Sequence, residues 1–471
     1  MSTPPDLCII GAGSLGVELA LYARRLGANV VLADRGAPEP GDAAHLSLRK
    51  AALAESARRV EDIRRAPDLG IGASEFKVSL KQISERATKL VDDRMRATAP
   101  EILTARGVTV MRGDVRFIDA RSLVIGDITI KPRAVIIAIG GLPVFPDLEG
   151  LADVSAFTTD SILENQRKLT HLVIVGGDAS ALEQAQIQRR LGAEVTLVPH
   201  GELLPGFDPE AVSLLLRSLR EEGVTIHDGV RVSAIKKRSQ GIGVEIAGPD
   251  GATDALDASH LLISMGKEVD LDAIDIAKLK LKPSAASIGF VRGALGASSS
   301  RFVRFAGYAA GRAEWSEALA EGRAAVEAAL GRSSSPSLRI PRTVLTEPAL
   351  AEIAPAGFGR KGGEETILRE NLAENDRAAA MGQGSGLLKV SVSENGQIAR
   401  ATILGTDAAE LAGVLSLVAD RKGGLLDLAR LPMPRPSLME VLSRLGENYL
   451  AAQDVSKRGQ GGRAIRRLFE R

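Results

Sequence analysis

The chain has 471 residues, more than one hydrophobic core can organise, so two to four domains of ordinary size are expected. Lysine and arginine number 60 against 59 aspartates and glutamates, a balance that gives no general field for nucleic acid or an anionic membrane, and aromatics at 3% leave few surfaces for stacking bases. Cys8 is the single cysteine, so neither an intrachain disulfide nor a thiolate metal site can form, and the 5 histidines lack ligand spacing: no metal site is expected.

In chain order, the apolar run Leu7-Cys8-Ile9-Ile10 predicts a buried strand, followed at once by Gly11-Ala12-Gly13-Ser14-Leu15-Gly16. The pattern is G-x-G-x-x-G between a strand and a helix expected from about Val17 to Leu26. Gly11 permits the tight turn, Gly13 and Ser14 present backbone amides to a pyrophosphate, and Gly16 lets the helix pack closely on the strand. A second strand, Asn29 to Ala33, ends in Asp34, whose carboxylate can accept hydrogen bonds from ribose hydroxyls. The segment thus reads as a dinucleotide-binding unit with context on both sides. Because the first strand starts within a few residues of Met1, no export signal is expected and the protein is read as cytoplasmic. No run approaches the roughly 18 to 20 apolar residues of a membrane span.

Arg35 to Asp42 reads as a Gly- and Pro-rich loop, followed by helices from Ala43 to Arg65 and from Ser79 to about Arg106. Four short strands come next, Val108–Met111, Val115–Ile118, Leu123–Ile125 and Ile128–Ile130, expected to form a small antiparallel layer. A buried strand from Ala134 leads into Gly140-Gly141. A second dinucleotide-type unit then starts at Leu172–Val175, turns through Gly176-Gly177-Asp178-Ala179-Ser180-Ala181 into a helix, and continues in the strand Val195–Val198. Further strands are read at Val224–Ile226, Val230–Val232, Val244–Ile246 and Leu261–Ser264; Arg301 to Gly307 gives a strand and turn, and Trp315 to Gly331 a helix. From Leu338 the pattern is α+β. Strands Leu387–Val392 and Ile398–Leu404 flank the hairpin signal Asn395-Gly396, with helices at Ala408–Asp420 and Ser437–Ala452. A basic tail runs from Gln453 to Arg471, and Ala464 to Phe469 within it could form an amphipathic turn.

This order of motifs resembles the flavoprotein disulfide reductases, the pyridine nucleotide-disulfide oxidoreductases that include dihydrolipoamide dehydrogenase, glutathione reductase and mercuric reductase. The resemblance runs nearly end to end. It implies an α/β chain with two Rossmann-like domains and an α+β dimerisation domain. Residues 1–148 and 267–333 would form a split FAD-binding domain, 149–266 an NAD(P)-binding-like domain, and 334–452 the dimerisation domain, with 453–471 as tail. By the same resemblance Gly11, Gly13, Ser14, Gly16 and Asp34 hold FAD, Gly140 belongs to a second flavin turn that has lost its threonine, and Gly307-Tyr308 stands where the family ends a motif in Gly-Asp. Lys50 matches the lysine beside the flavin N5, and Glu183 its glutamate partner. The segments Ile340 to Pro348 and Leu372 to Ala378 match the interface domain and imply a homodimer.

Departures from the family carry the functional expectation. The dithiol is absent: Gly41 to Arg49, where two cysteines should lie before Lys50, contains no sulfur, and thiol exchange needs an attacking thiolate and a resolving partner. The family's His-Pro acid/base motif is Arg435-Pro436-Ser437-Leu438-Met439-Glu440, and arginine stays protonated where histidine would shuttle a proton. Asp178 occupies a glycine position of the second turn, and Pro199 replaces the acid expected after Val198, so NAD(P)H binding is expected to be millimolar or undetectable. Tyr308 replaces the flavin-side aspartate. The expectation is an FAD oxidoreductase that is no disulfide reductase and passes electrons to a quinone, another small molecule or a protein. The alternative is an inert FAD-binding or scaffold protein acting through its dimer surface.

Overall fold

A computed structural model of the chain describes residues 4–36, 43–72, 75–284, 289–291, 295–334, 339–353, 366–393, 396–419, 421 and 424–453. Contacts divide it into two compact units, the first comprising Met1–Pro67, Gly72–Leu203 and Gly223–Pro336, the second Asp68–Ile71, Leu204–Glu222 and Ser337–Arg471. Most of the loop 35–42, the hairpin residues 394–395 and the tail beyond 453, with its expected amphipathic turn, lie outside the described residues.

In the first unit Leu7–Ile10 (β1) is wholly buried and runs parallel to Val30–Asp34 (β2) on one side and Ala134–Ile137 on the other. Val108–Arg112 (β3) extends the sheet beyond β2, and Val303–Phe305 completes five parallel strands at the opposite edge. Although the central strands are apolar on both faces, alternation still sorts them. Leu7, Ile9, Val30 and Leu32 pack with helix Ser14–Arg25 (α1) and helix Trp315–Ala329, whereas Cys8, Ile10, Val31 and Ala33 share a core with Phe117, Leu123 and Ile125 of the small antiparallel sheet. Each leucine or isoleucine so buried contributes about 1.5–3 kcal/mol.

Three expectations for this unit are corrected. First, α1 begins at Ser14, inside the glycine motif, because Gly13 is extended (φ −65°, ψ 178°) and acts as its N-cap. Second, Val108–Met111 belongs to the parallel sheet; only Val115–Phe117, Leu123–Ile125 and Ile128–Ile130 form the antiparallel layer. A four-residue apolar run does not name its partner, and the helical crossover after β2 returns the chain parallel to it. Third, after Ala43–Arg65 (α2), the expected helix over 79–106 is two helices, Leu80–Arg96 (α3) and Pro100–Ala105 (α4). Pro100 has no N–H to donate and Ala99 ahead of it is non-helical (φ −57°, ψ 147°), so α3 cannot run through.

The second parallel sheet repeats the plan, in the order Val224–Ile226, Glu194–Val198, His171–Val175, His260–Ile263 and Ala156–Thr158. Helix Ala179–Arg190 (α5) follows its glycine turn, and the antiparallel strands Arg231–Lys237, Ile242–Ala247 and Thr253–Ala258 share its core.

The second unit is an antiparallel sheet in the order Arg342–Val344, Ala349–Ile353, Ile398–Gly405, Leu387–Val392 and Thr366–Asn371. Helix Ala408–Ala419, helix Leu425–Ala429 and a helix over residues 440–453 contribute to one apolar core with its inward face. Elsewhere on the sheet, fully buried Glu352 pairs with Arg342 and Arg400 and accepts a hydrogen bond from Thr402 Oγ1 at 3.0 Å. Lys389 Nζ donates to Asp208 Oδ2 at 2.8 Å, and Asp208 caps helix Pro209–Glu221.

Candidate functional site

Both parallel sheets end in a glycine turn, and the two turns are built alike. In the first, the Gly11 N–H donates to Ala33 O at 3.2 Å and the Ala138 N–H to Ile10 O at 2.8 Å, which brings the ends of β1, β2 and Ala134–Ile137 together. Gly11 sits at φ +110°, and a Cβ there would stand 2.6 Å from Ala138 O. A Cβ on Gly16 would lie 1.8 Å from Gly11 O, so only glycine lets α1 approach the turn. Gly13 caps α1 without any side-chain hydrogen bond, and Ser14 opens the helix. Gly13 itself brings no side chain to the first-turn amides. Gly307, at φ +61°, packs where a Cβ would meet Leu15 Cδ2 at 2.5 Å, and a Cβ on Gly140 would meet nothing within 4 Å.

The structure thus gathers Gly11, Gly13, Ser14, Gly16 and Gly307 around the start of α1, while Gly140 follows the Ala138 turn that touches Gly11. Asp34 ends β2; its Oδ1 accepts the Gly36 N–H at 3.0 Å and its Oδ2 lies 3.7 Å from Arg112 Nε. This arrangement fits FAD. A helix N-terminus capped by glycine suits a pyrophosphate, a glycine cradle admits it, and a carboxylate stands at the strand end that takes a ribose.

In the second turn, the Gly176 N–H donates to Val198 O at 3.1 Å and the Ser264 N–H to Val175 O at 2.8 Å. Gly176 has φ +148°, and a Cβ on it would stand 2.1 Å from Ser264 O. Here the N-cap is Asp178: its Oδ1 accepts the Ala181 N–H at 2.8 Å and the Ser264 hydroxyl at 2.7 Å. Burial pushes the Asp178 carboxyl above its ordinary pKa, against the two hydrogen bonds, with Glu183 adding to the rise and Lys50 opposing it. In this turn, unlike the first, a side-chain carboxylate caps the helix.

Lys50 on α2 and Glu183 on α5 form an ion pair in which Glu183 is 4% exposed and Lys50 27%. Tyr308, one residue after Gly307, has Lys267 Nζ 5.9 Å from its ring centre, and Lys267 pairs with Asp160 at 2.5 Å. Burial, reinforced by Asp160, Glu314 and Asp178, pushes the Tyr308 hydroxyl up to about 12. Sequence reasoning missed Ser264, Lys267 and Asp160. The signal for Ser264 was a hydroxyl closing an apolar parallel strand; the Lys267–Asp160 pair spans 107 positions and left none.

In the second unit, Arg435 donates to Asp376 at 2.8 Å and lies 3.7 Å from Glu440. The Ser437 N–H donates to Glu440 Oε2 at 3.0 Å and Ser437 Oγ accepts the Met439 N–H at 3.2 Å, a capping box at the start of the helix over 440–453. Among the described residues no group of three or more His, Cys, Asp or Glu is arranged to hold a metal, and no helix is long and apolar enough to cross a membrane.

Comparison with known proteins matches residues 5–288 to the pyridine nucleotide-disulphide oxidoreductase family. A mercuric reductase of Streptomyces lividans is 30% identical over 286 residues, 59% of this chain and 60% of that protein. A dihydrolipoyl dehydrogenase of Thermus scotoductus is 26% identical over 457 residues, 94% of this chain and 96% of that protein. Among solved structures, LpdA of Mycobacterium tuberculosis superposes with a TM-score of 0.82 at 22% identity, covering 94% of this chain and 99% of that one. The HOCl-induced flavoprotein disulfide reductase RclA of Escherichia coli gives 0.79 at 20% identity, with the same coverage. Matched over more than half of its length, the chain belongs to the pyridine nucleotide-disulphide oxidoreductase family, whose members are FAD-dependent oxidoreductases.

Proposed function

We propose that this protein is a homodimeric FAD-dependent oxidoreductase that passes electrons from flavin directly to a non-disulfide acceptor, a quinone, another small molecule or a protein. One observation carries the reading: the first glycine turn is capped by Gly13, which brings no side chain into it, whereas the chain's single cysteine is fully buried in β1, its thiol pushed up to about 12 by burial. A buried neutral thiol is no nucleophile, and without a second cysteine it has no resolving partner.

FAD, when bound, supplies two-electron uptake and release in one or two steps. The chain's residues would bind and orient it. Amides at Gly13 and Ser14 would face the pyrophosphate, Asp34 the adenosine ribose, and Gly140 and Gly307 would admit the remainder without side-chain conflict. Lys50, held by Glu183, would keep a positive charge near the ring and favour its reduced form. In this reading residues 1–148 and 267–333 form the FAD domain, 149–266 a nucleotide-type domain with weak or no affinity for NAD(P)H, and 334–452 the dimer surface. An inert dimeric scaffold is the second reading, supported by Glu440, whose carboxylate caps a helix where the family's acid/base motif stands.

Denaturing the purified protein and recording the visible spectrum of the supernatant tests the proposal. Released FAD in near one-to-one ratio, with a flavin that is reduced by dithionite and reoxidised by a quinone, is the expected result. A colourless protein that also takes up no added FAD overturns it in favour of the scaffold.

A further inference from the structure

We infer that the second glycine turn is closed by the chain itself: the Asp178 carboxylate stands where a dinucleotide would place its pyrophosphate, and Ser264 latches it there. The comparison between the two turns carries this. Gly13 and Asp178 are the N-caps of helices of equal length, each following a buried strand and a glycine at positive φ. At Gly13 no side chain caps the helix, whereas at Asp178 the carboxylate takes the third amide of α5, from Ala181. An anion is already present at the helix end, so a phosphate arriving there meets like charge and finds an amide taken.

The Ser264 hydroxyl makes this a fixed arrangement rather than a passing rotamer. It belongs to the segment that packs on Gly176, and its bond to Oδ1 means that Asp178 cannot swing aside without breaking two hydrogen bonds. The neighbouring charges do not compensate: Lys50, whose field favours the carboxylate, is paired with Glu183, whose field opposes it. Pro199 follows the strand Glu194–Val198 and offers no carboxylate to a ribose. Ligands that carry a diphosphate, NADH and NADPH among them, are therefore excluded from this turn. The consequence for electron supply, a donor without a diphosphate, rests on the flavoprotein reading above; the closure itself does not.

Isothermal titration of NADH, NADPH and ADP-ribose into the full chain tests it, with thermal melts to show that each variant folds. Wild type is expected to show no saturation below about 1 mM, and Asp178→Gly to bind at least roughly tenfold tighter. Asp178→Asn, which keeps a cap and loses the charge, and Ser264→Ala, which keeps the charge and frees the carboxylate, should each gain less than Asp178→Gly. Micromolar binding by wild type overturns the inference, as does a folded Asp178→Gly that binds no tighter. Should Asp178→Gly not fold, absence of any gain in both Asp178→Asn and Ser264→Ala overturns it equally. Flavin content, measured on the same wild-type sample, keeps the two readings apart: a colourless protein that gains affinity in the variants loses the flavoprotein reading and retains the closure.

Discussion

At the scale of single residues, burial decides what chemistry a side chain retains. Cys8 is fully buried in β1 among Ile10, Val31 and Val135, and no charged neighbour offsets the desolvation that raises its pKa from 9.0 to about 12. The folded state thus holds the thiol proton more tightly than the unfolded chain does. Its contribution to stability is full below pH 9 and is lost as the pH rises through about 12. Maleimide at pH 8 should therefore leave the native protein unlabelled and modify Cys8 only on unfolding; rapid native labelling would contradict the burial. Lys50→Met tests another buried group. It removes the Lys50 charge from beside Glu183, 4% exposed, and because Lys50, 27% exposed, keeps part of its hydration the expected loss is about 1–3 kcal/mol, less than for a fully buried pair. An unchanged melting temperature would show the pair to be energetically neutral.

At the scale of elements, glycines and caps set where helices begin and how closely they pack. Gly16→Ala places a methyl against the Gly11 carbonyl, backbone that cannot rotate away, so α1 must shift from the turn. Overpacking of this kind costs about 1–3 kcal/mol, and the displaced amides should lower flavin occupancy of the purified protein. Ser437→Ala removes one half of a capping box while Glu440 keeps the other, and should cost about 1 kcal/mol by chemical denaturation. Glu352→Ala should cost more. It removes the carboxylate shared by the Arg342 and Arg400 guanidiniums, which are 35% and 22% exposed and so keep part of their hydration, a loss of about 1–3 kcal/mol that urea titration would register.

At the scale of the whole molecule, the antiparallel unit is the expected self-association surface, because 334–452 carries the segments that resemble the interface domain. A two-fold dimer at micromolar concentration in sedimentation velocity is the predicted state, and a monomer would count against it. The single-cysteine composition also acts at this scale. A disulfide substrate would find no redox-active thiolate to deliver electrons to it, so added lipoamide or glutathione disulfide should not speed reoxidation of reduced flavin, whatever the dimer contributes.

The sequence by itself determined the architecture, since its parallel strands, glycine turns and hairpin are written in local patterns: Leu7–Ile10 and Leu172–Val175 are apolar runs ahead of glycines, and Leu387–Val392 and Ile398–Leu404 flank Asn395-Gly396. It also determined the absence of a dithiol, because composition needs no fold. Tertiary structure alone decided which sheet β3 joins, because a short strand's partner depends on the return path of α2–α4. Likewise it alone showed how Asp178 is held. The residue was legible as a misplaced acid, but Ser264 lies 86 positions away, and a hydrogen bond between residues so distant in sequence exists only once two strands have been brought side by side.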